Sequence, residues 1–183
     1  VRMKEIMVRK SSGTEANFGP SLVTDFEGDG KAEAVITTDT GELLILDQNG
    51  MKRWSQVFSG PVSCLQAVSL RPGAPKVLLV GTWEARLYCF SAKGKEEWRT
   101  SFGSLSVVNK DLPVPFSIHL TVDEKPNIVV GNYARVSFLS ADGGKILDHI
   151  MVYGSHEQAL LPCSGGTLLA FNPWGTLSVV DSS

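Results

Sequence analysis

The chain has 183 residues, of which 43% are hydrophobic and 20% charged, and its formal net charge is −2 at pH 7. This composition is that of an ordinary soluble globular domain with enough apolar material for its own core. The small net charge gives no reason to expect binding to a nucleic-acid backbone or to an anionic membrane. No apolar run reaches the roughly 18 residues that a membrane span requires, and residues 1–10 lack the apolar stretch of a signal peptide.

The apolar segments are short, rich in Val, Ile, Leu, Phe and Thr, and separated by Gly, Asp, Asn and Pro. This pattern predicts β-strands joined by turns, and no long segment repeats with the period of an amphipathic helix. Four pairs of strands are predicted in chain order. They are 21–25 with 33–38, 62–70 with 76–81, 116–122 with 127–131, and 158–163 with 167–171.

A hairpin of similar sequence follows each pair. Each copy has an apolar strand, a polar turn with Gly, and, in the complete copies, a second strand. The copies span 41–54, 85–98 and 134–147, and a fourth, at 175–183, ends at its turn. The equivalent residues Asp47, Ser91, Ser140 and Asp181 are 44, 49 and 41 residues apart. Four strands in about 44 residues is the size of one propeller blade.

The repeat therefore predicts one all-β domain over residues 1–183, a β-propeller of about four four-stranded blades. The predicted blades are 17–58, 60–102, 103–153 and 154–183, the last completed by residues 3–10. The fourth copy lacks its outer strand, and residues 3–8 align with 51–56, so the N-terminal strand would close the ring and cover a bare edge. Two alternatives are a longer propeller of which this chain is a part, and two copies that pair into one larger ring.

The hairpins resemble the repeats of quinoprotein-like (PQQ-like) propellers. In two copies Asp47 or Ser91 is followed after three residues by Gly, and four residues later by Trp54 or Trp98. In that family a Trp at this position packs between blades. The resemblance implies the fold and not the activity, so PQQ itself is not expected.

An acidic loop in the first blade has the composition of a cation site. Asp25, Glu27 and Asp29 alternate around two glycines, and Glu33 returns a fourth carboxylate from the next strand. Oxygen ligands at alternate positions suit Ca²⁺. The alternative is an acidic surface turn, although four clustered carboxylates without a cation would repel one another.

Residues 25–36, Asp-Phe-Glu-Gly-Asp-Gly-Lys-Ala-Glu-Ala-Val-Ile, also resemble an FG-GAP or VCBS-type repeat, known from integrin α heads and from adaptor propellers. The resemblance implies a Ca²⁺ site. Its ligands would be the side chains of Asp25, Glu27, Asp29 and Glu33 and the carbonyl of Lys31. Glu27 departs from the family pattern, in which Asp or Asn is commoner, because its side chain is one methylene longer.

Three blades carry a large aromatic residue in the turn between their second and third strands. These residues are Trp83, Tyr133 and Trp174, and Arg86 and Arg135 follow the first two. Corresponding turns of successive blades lie on one face of a propeller, and aromatic residues and Arg dominate protein-interface hot spots. The sequence therefore predicts a partner-binding face here. Aromatic caps on the blade cores are the alternative.

Cys64, Cys89 and Cys163 each lie in an apolar, strand-like run. An odd number without short-range spacing indicates buried free thiols rather than a disulfide framework. Free thiols favour a reducing compartment and therefore the cytoplasm.

No catalytic set emerges from the sequence. There is no nucleotide-binding glycine pattern, and the three histidines are not spaced as metal ligands. Residues 155–157, Ser-His-Glu, contain triad residue types, but neighbours on a strand point to opposite faces. We therefore predict a non-enzymatic binding or scaffolding module with a protein partner. The alternatives are a fragment of a larger propeller enzyme, quinone-dependent or carbohydrate-active, and an integrin-like adhesive head.

Overall fold

The computed structural model describes residues 17–103, 115–120, 127–132, 135–151, 159–162, 167–171 and 177–181. Within these ranges the chain forms fifteen β-strands and no α-helix, as predicted. The strands are β1 Leu22–Thr24, β2 Glu33–Thr37, β3 Glu42–Leu46, β4 Lys52–Val57, β5 Val62–Val68, β6 Val77–Thr82, β7 Arg86–Ser91, β8 Glu96–Ser101, β9 Pro115–Leu120, β10 Asn127–Asn132, β11 Arg135–Ser140, β12 Ile146–Met151, β13 Ala159–Pro162, β14 Thr167–Phe171 and β15 Leu177–Asp181. No helix that could cross a membrane is found in this part of the chain.

The strands form four antiparallel sheets in which each strand pairs with the next along the chain. The sheets are β1–β4, β5–β8, β9–β12 and β13–β15. The first strands of successive sheets lie side by side, because β1 contacts β5, β5 contacts β9 and β9 contacts β13. The sheets are therefore arranged radially, with their first strands innermost and β4, β8 and β12 at the rim. This is the architecture of a β-propeller, and we number its blades 1 to 4.

The core lies between the blades. Side chains alternate between the two faces of a strand, so Leu78 and Val80 of β6 pack toward blade 1 while Leu79 packs toward blade 3. All three are at most 1% exposed. A strand that is buried on both faces must be apolar at successive positions, which explains the run Val77–Val80.

A tryptophan at the rim fixes blade 1 to blade 2. The indole N–H of Trp54 on β4 donates a hydrogen bond to the carbonyl of Ala92, at 3.0 Å, in the turn between β7 and β8. Its ring also lies 5.7 Å from that of Phe90, between centroids. Gly94, in the same turn, has a φ of 80°, and a Cβ added there would lie 2.6 Å from a ring carbon of Trp54. The turn can therefore approach the indole because it carries glycine.

The same contact recurs between blades 2 and 3. A Cβ on Gly144 would overlap the ring of Trp98, and the hydroxyl of Thr100 donates to the Gly144 carbonyl. These contacts agree with the packing role predicted for Trp54 and Trp98.

Blade 3 departs from the repeat at the Trp position. The sequence alignment places Leu147 at the end of the third hairpin, where Trp54 and Trp98 stand. In the structure Asp148 pairs with Phe138, as Trp98 pairs with Cys89 in blade 2. The alignment is wrong by one residue, because Gly144 bonds back to Ser140 across one more residue than separates Gly94 from Ser91.

Cys64 and Cys89 are buried thiols outside any disulfide bond, as predicted, in the cluster between blades 2 and 3. Burial raises the pKa of both thiols to about 12. Both therefore stay protonated, and weak as nucleophiles, at neutral pH. Cys163 lies outside the described residues.

The packing of Trp54 against the blade 2 turn predicts an unequal response to two glycine substitutions. Gly73 and Gly94 have similar positive φ values, 73° and 80°, but nothing lies within 4 Å of a Cβ at Gly73. Gly73→Ala should cost only the left-handed backbone penalty, about 1–2 kcal/mol. Gly94→Ala should cost about 1–3 kcal/mol more, because the indole must move. Urea denaturation would measure both, and equal losses would show that the Trp54 contact does not hold the turn.

Ring closure by residues 3–10 falls outside the described residues and stays a prediction. Closure within one chain predicts a single species with the chain mass, 19.7 kDa. Light scattering after size-exclusion chromatography measures this mass. A species of twice the mass would instead indicate two copies in one larger ring.

Candidate functional site

The turns of the propeller lie on two opposite faces. The turn between β2 and β3 and the connection from β4 to β5 meet on one face, where the N–H of Phe58 bonds to the carbonyl of Gly41 at 2.9 Å. We call this the upper face. The acidic loop between β1 and β2 and the turn between β3 and β4 lie at the other ends of these strands, on the lower face.

Asp25 organises the acidic loop on the lower face. Its carboxylate accepts hydrogen bonds from the backbone N–H groups of Gly28, Asp29 and Gly30, at 2.6, 3.2 and 2.8 Å. The bond from Gly30, with those from Gly28 and Asp29, holds the pKa of Asp25 below its ordinary value. Gly28 and Gly30 have φ values of 74° and 81°, so the tight turn depends on residues without a Cβ.

Arg53 of β4 joins two other carboxylates of the predicted metal site. Its Nη1 lies 2.7 Å from Glu33 Oε1, and its Nη2 lies 2.8 Å from Glu27 Oε1. Glu33 is only 4% exposed, and its buried carboxylate is paired with this guanidinium and with the N–H of Phe26, which donates to Glu33 Oε2 at 3.0 Å. The hydrogen bond to Glu27, followed by the nearby charges of Glu27 and Glu33, raises the pKa of Arg53.

A β-bulge aims Arg53 at the loop. Ile45 pairs with Trp54 and Leu46 pairs with Lys52, which leaves Arg53 as the extra residue of β4. Such a residue is directed differently from its neighbours. Sequence reasoning did not identify Arg53 because the bulge shows only in the pairing register.

Phe26 anchors the loop between blades 1 and 2. It is 2% exposed and packs in the cluster that contains Val35, Leu78 and Val80. Its carbonyl accepts a hydrogen bond from the N–H of Lys76 in blade 2, at 3.3 Å. The acidic loop is therefore a structural link between the two blades.

The structure brings the predicted calcium ligands into one loop, but it points their oxygens at protein donors. Asp25 accepts hydrogen bonds from backbone N–H groups, and Glu27 and Glu33 form ion pairs with Arg53. Asp29 lies 3.4 Å from the ammonium of Lys31. Among the described residues no group of three or more His, Cys, Asp or Glu is arranged to hold a metal ion. A polar pocket of about 340 Å³ separates the loop from the β3–β4 turn, and Arg53 lines it. Carboxylates paired in this way do not fit a Ca²⁺ ion. Calcium binding by this loop therefore stays a prediction that the structure does not support.

Trp83 projects from the upper face. It lies in the turn between β6 and β7 and is 51% exposed. Its backbone N–H donates to the carbonyl of Pro61 at 3.0 Å, and the backbone N–H of Ala85 donates to the carbonyl of Thr82 at 3.1 Å. The carbonyl of Ala85 in turn accepts from Phe102 at 3.0 Å. The backbone that carries the exposed indole is therefore fixed on three sides.

Arg86 and Arg135, the two arginines predicted in the partner-binding face, have different surroundings. Arg86 Nη1 lies 3.0 Å from Glu84 Oε2 and 3.4 Å from the hydroxyl of Tyr88, whose hydrogen bond is the main cause of a raised Arg86 pKa. Glu84 also accepts a hydrogen bond from the Ser59 hydroxyl. In the described part of the chain, Nε of Arg135 is buried without a hydrogen-bond partner. Tyr133 and Trp174 lie outside the described residues.

Two further apolar side chains are exposed at the upper face. Phe18 forms a bridge to Thr38 ahead of β1, and Val57 ends β4 opposite Glu42. Both are largely exposed. Neither belongs to the aromatic repeat, so the sequence pattern did not indicate them.

The comparisons with known proteins support the fold. No known protein family and no curated protein matches the chain by sequence. Solved structures do match. BBS1N in complex with ARL6DN is 17% identical with a TM-score of 0.64, over 91% of this chain and 57% of that one. BamB from Moraxella catarrhalis is 20% identical with a TM-score of 0.59, over 85% and 48%. The computationally designed Ika4 protein is 14% identical with a TM-score of 0.65, over 98% and 99%.

The chain thus spans about half the length of the BBS1N and BamB chains, and nearly all of Ika4. At these identities the likeness shows the fold alone. The predicted β-propeller is confirmed, whereas the FG-GAP and PQQ-like repeat types stay predictions.

The anchoring role of Phe26 predicts a large loss of stability on truncation. Phe26→Ala removes a buried ring from the junction of two blades and should cost about 3–5 kcal/mol. Asp29→Ala, in the same loop but exposed, should cost less than about 1 kcal/mol. Chemical denaturation of the two variants beside the parent measures the difference. Similar midpoints would show that the loop does not link the blades.

Proposed function

We propose that this chain is a non-enzymatic β-propeller that binds a protein partner through its upper face, with Trp83 as the central anchor. The observation that carries the proposal is the half-exposed indole on a turn whose backbone is held by Pro61, Thr82 and Phe102. A large apolar side chain is costly to expose and gains most from burial in a partner.

The rigidity of the turn strengthens this reasoning. Binding costs entropy whenever a loop or a long side chain must be ordered, and a preordered anchor avoids much of that cost. Trp is also among the residues that dominate measured hot spots. Phe18 and Val57 add apolar surface on the same face, and the Arg86–Glu84 pair supplies the polar rim that interfaces commonly have.

The repeat extends the proposed surface around the ring. Tyr133 and Trp174 stand at the corresponding turns by sequence. Arg135 follows Tyr133 by two residues, and Arg86 follows Trp83 by three.

A solved propeller of the same fold supports the class of function. BBS1N was solved in complex with ARL6DN, so a propeller with this arrangement of strands can hold a protein partner. The partner of the present chain is a separate matter, because the likeness at 17% identity concerns the fold.

The absence of an enzymatic role is part of the proposal and rests on elimination. The thiols of Cys64 and Cys89 are buried and protonated at neutral pH, which removes two candidate nucleophiles. Two buried thiols outside any disulfide bond also support the proposed reducing, cytoplasmic compartment.

The proposal predicts where a partner crosslinks. A photoreactive phenylalanine analogue at position 83 should capture the partner in the native cell extract, because that position lies in the proposed interface. The matched control places the same analogue at Met51, an exposed apolar residue in the β3–β4 turn of the lower face. Mass spectrometry of the crosslinked bands should find a protein specific to position 83.

A Trp83→Ala bait supplies the quantitative test. Loss of a hot-spot Trp should weaken the captured complex about 30-fold or more, which corresponds to about 2 kcal/mol. The melting temperature should change little, because half of the side chain is already exposed. Crosslinking from position 51 in preference to 83, or unchanged affinity of Trp83→Ala, would contradict the upper-face assignment.

A further inference from the structure

We propose that Arg53 is an internal cation that replaces a metal ion in the acidic loop, so that blade 1 is held together without Ca²⁺. This inference is independent of the proposed protein-binding function, because it concerns the lower face. The sequence of the acidic loop resembles a calcium-binding repeat, whereas its carboxylates in the structure face protein donors.

The acidic loop needs positive charge. Four carboxylates lie within the nine residues from Asp25 to Glu33, and such a cluster repels itself unless each charge has a partner. The structure supplies these partners from the chain itself. They are three backbone N–H groups for Asp25, the backbone N–H and the ammonium of Lys31 for Asp29, Arg53 for Glu27, and Arg53 with the N–H of Phe26 for Glu33.

Arg53 bridges two carboxylates, as a bound cation would. Its two terminal nitrogens contact carboxylates from two different elements, Glu27 in the loop at 2.8 Å and Glu33 on β2 at 2.7 Å. A divalent ion at this place would likewise draw loop and strand together. The planar guanidinium is suited to this bridge because it presents several fixed donors to carboxylates, whereas an ammonium presents one point charge.

The blades differ in a way that links Arg53 to the acidic loop. The bulge residue of the fourth strand is Arg53 in blade 1, Glu97 in blade 2 and Leu147 in blade 3. The loop between the first two strands is acidic in blade 1, whereas residues 71–75 in blade 2 are Arg-Pro-Gly-Ala-Pro. Of blades 1 and 2, only blade 1 combines an acidic loop with an arginine at the bulge.

Glu27 is explained by the same contact. The family pattern favours Asp or Asn at this position, and the extra methylene of Glu is unexpected for a metal ligand. In the structure the longer side chain reaches Nη2 of Arg53. The departure from the calcium-binding pattern thus fits a guanidinium partner.

Arg53 and a Ca²⁺ ion compete for the same oxygens. A cation in the loop would repel the guanidinium, and it would have to take Asp25 from the three backbone N–H groups that shape the turn. The parent protein should therefore gain no stability from Ca²⁺. Removal of the arginine charge should leave an acidic loop that a cation can stabilise.

The test is thermal unfolding in calcium chloride, in magnesium chloride of equal ionic strength, and in chelator. The parent should melt at the same temperature in all three. Arg53→Gln in chelator should melt about 5 °C lower than the parent, a shift typical of losing one or two kcal/mol in a domain of this size. Arg53→Lys should recover part of that loss, because it restores the positive charge but not the second terminal nitrogen that pairs with a carboxylate.

The charge-specific readout is the response to calcium. Arg53→Gln should regain melting temperature in calcium but not in magnesium. The matched control, Glu97→Gln, changes the same bulge position in blade 2 and should melt as the parent does, with no calcium response. A calcium-stabilised parent, or an Arg53→Gln variant as stable as Glu97→Gln, would overturn the proposal. If Arg53→Gln fails to fold, the parent and Arg53→Lys in calcium and chelator decide the question.

Discussion

The packing of one blade against the next is the interaction on which the rest of this structure depends. A four-stranded meander has two apolar faces and cannot cover either of them by itself, so each blade is stable only between neighbours. Leu78 and Leu79, adjacent on β6, serve different junctions for this reason. The junctions are then closed at the rim by Trp54 and Trp98, each against a glycine turn of the following blade.

This constraint separates the roles of the two faces. On the lower face the acidic loop of blade 1 is used internally, since Phe26 enters the junction with blade 2 and Arg53 pairs with Glu27 and Glu33. On the upper face the turn backbones are equally well bonded, but Trp83 points outward. The packing that holds the blades in place thus also gives the upper face a fixed shape, as the proposed docking of a partner requires.

The features of this fold that could be predicted from the sequence are those that depend on local residue patterns. Strands, turns and the repeat follow from alternation, glycine and chain spacing. The roles of Trp54 and Trp98 were expected only from the resemblance to PQQ-like repeats. The pairing register of the strands does not follow from these local patterns. One extra residue between Ser140 and Gly144 puts Asp148, rather than Leu147, at the Trp position of blade 3. The partner of the acidic loop was also missed, because Arg53 is 20 residues beyond Glu33 and meets it through a bulge.

The bulge shows how a repeat can carry different chemistry in each blade without a change of fold. The extra residue of the fourth strand is a fixed feature of the three described four-stranded blades, and its side chain is released from the alternation that the core imposes. Since each blade contacts only its neighbours, a substitution at this position acts locally. An arginine there can neutralise an acidic loop, a glutamate or a leucine can occupy the same place elsewhere, and the buried junctions remain the same.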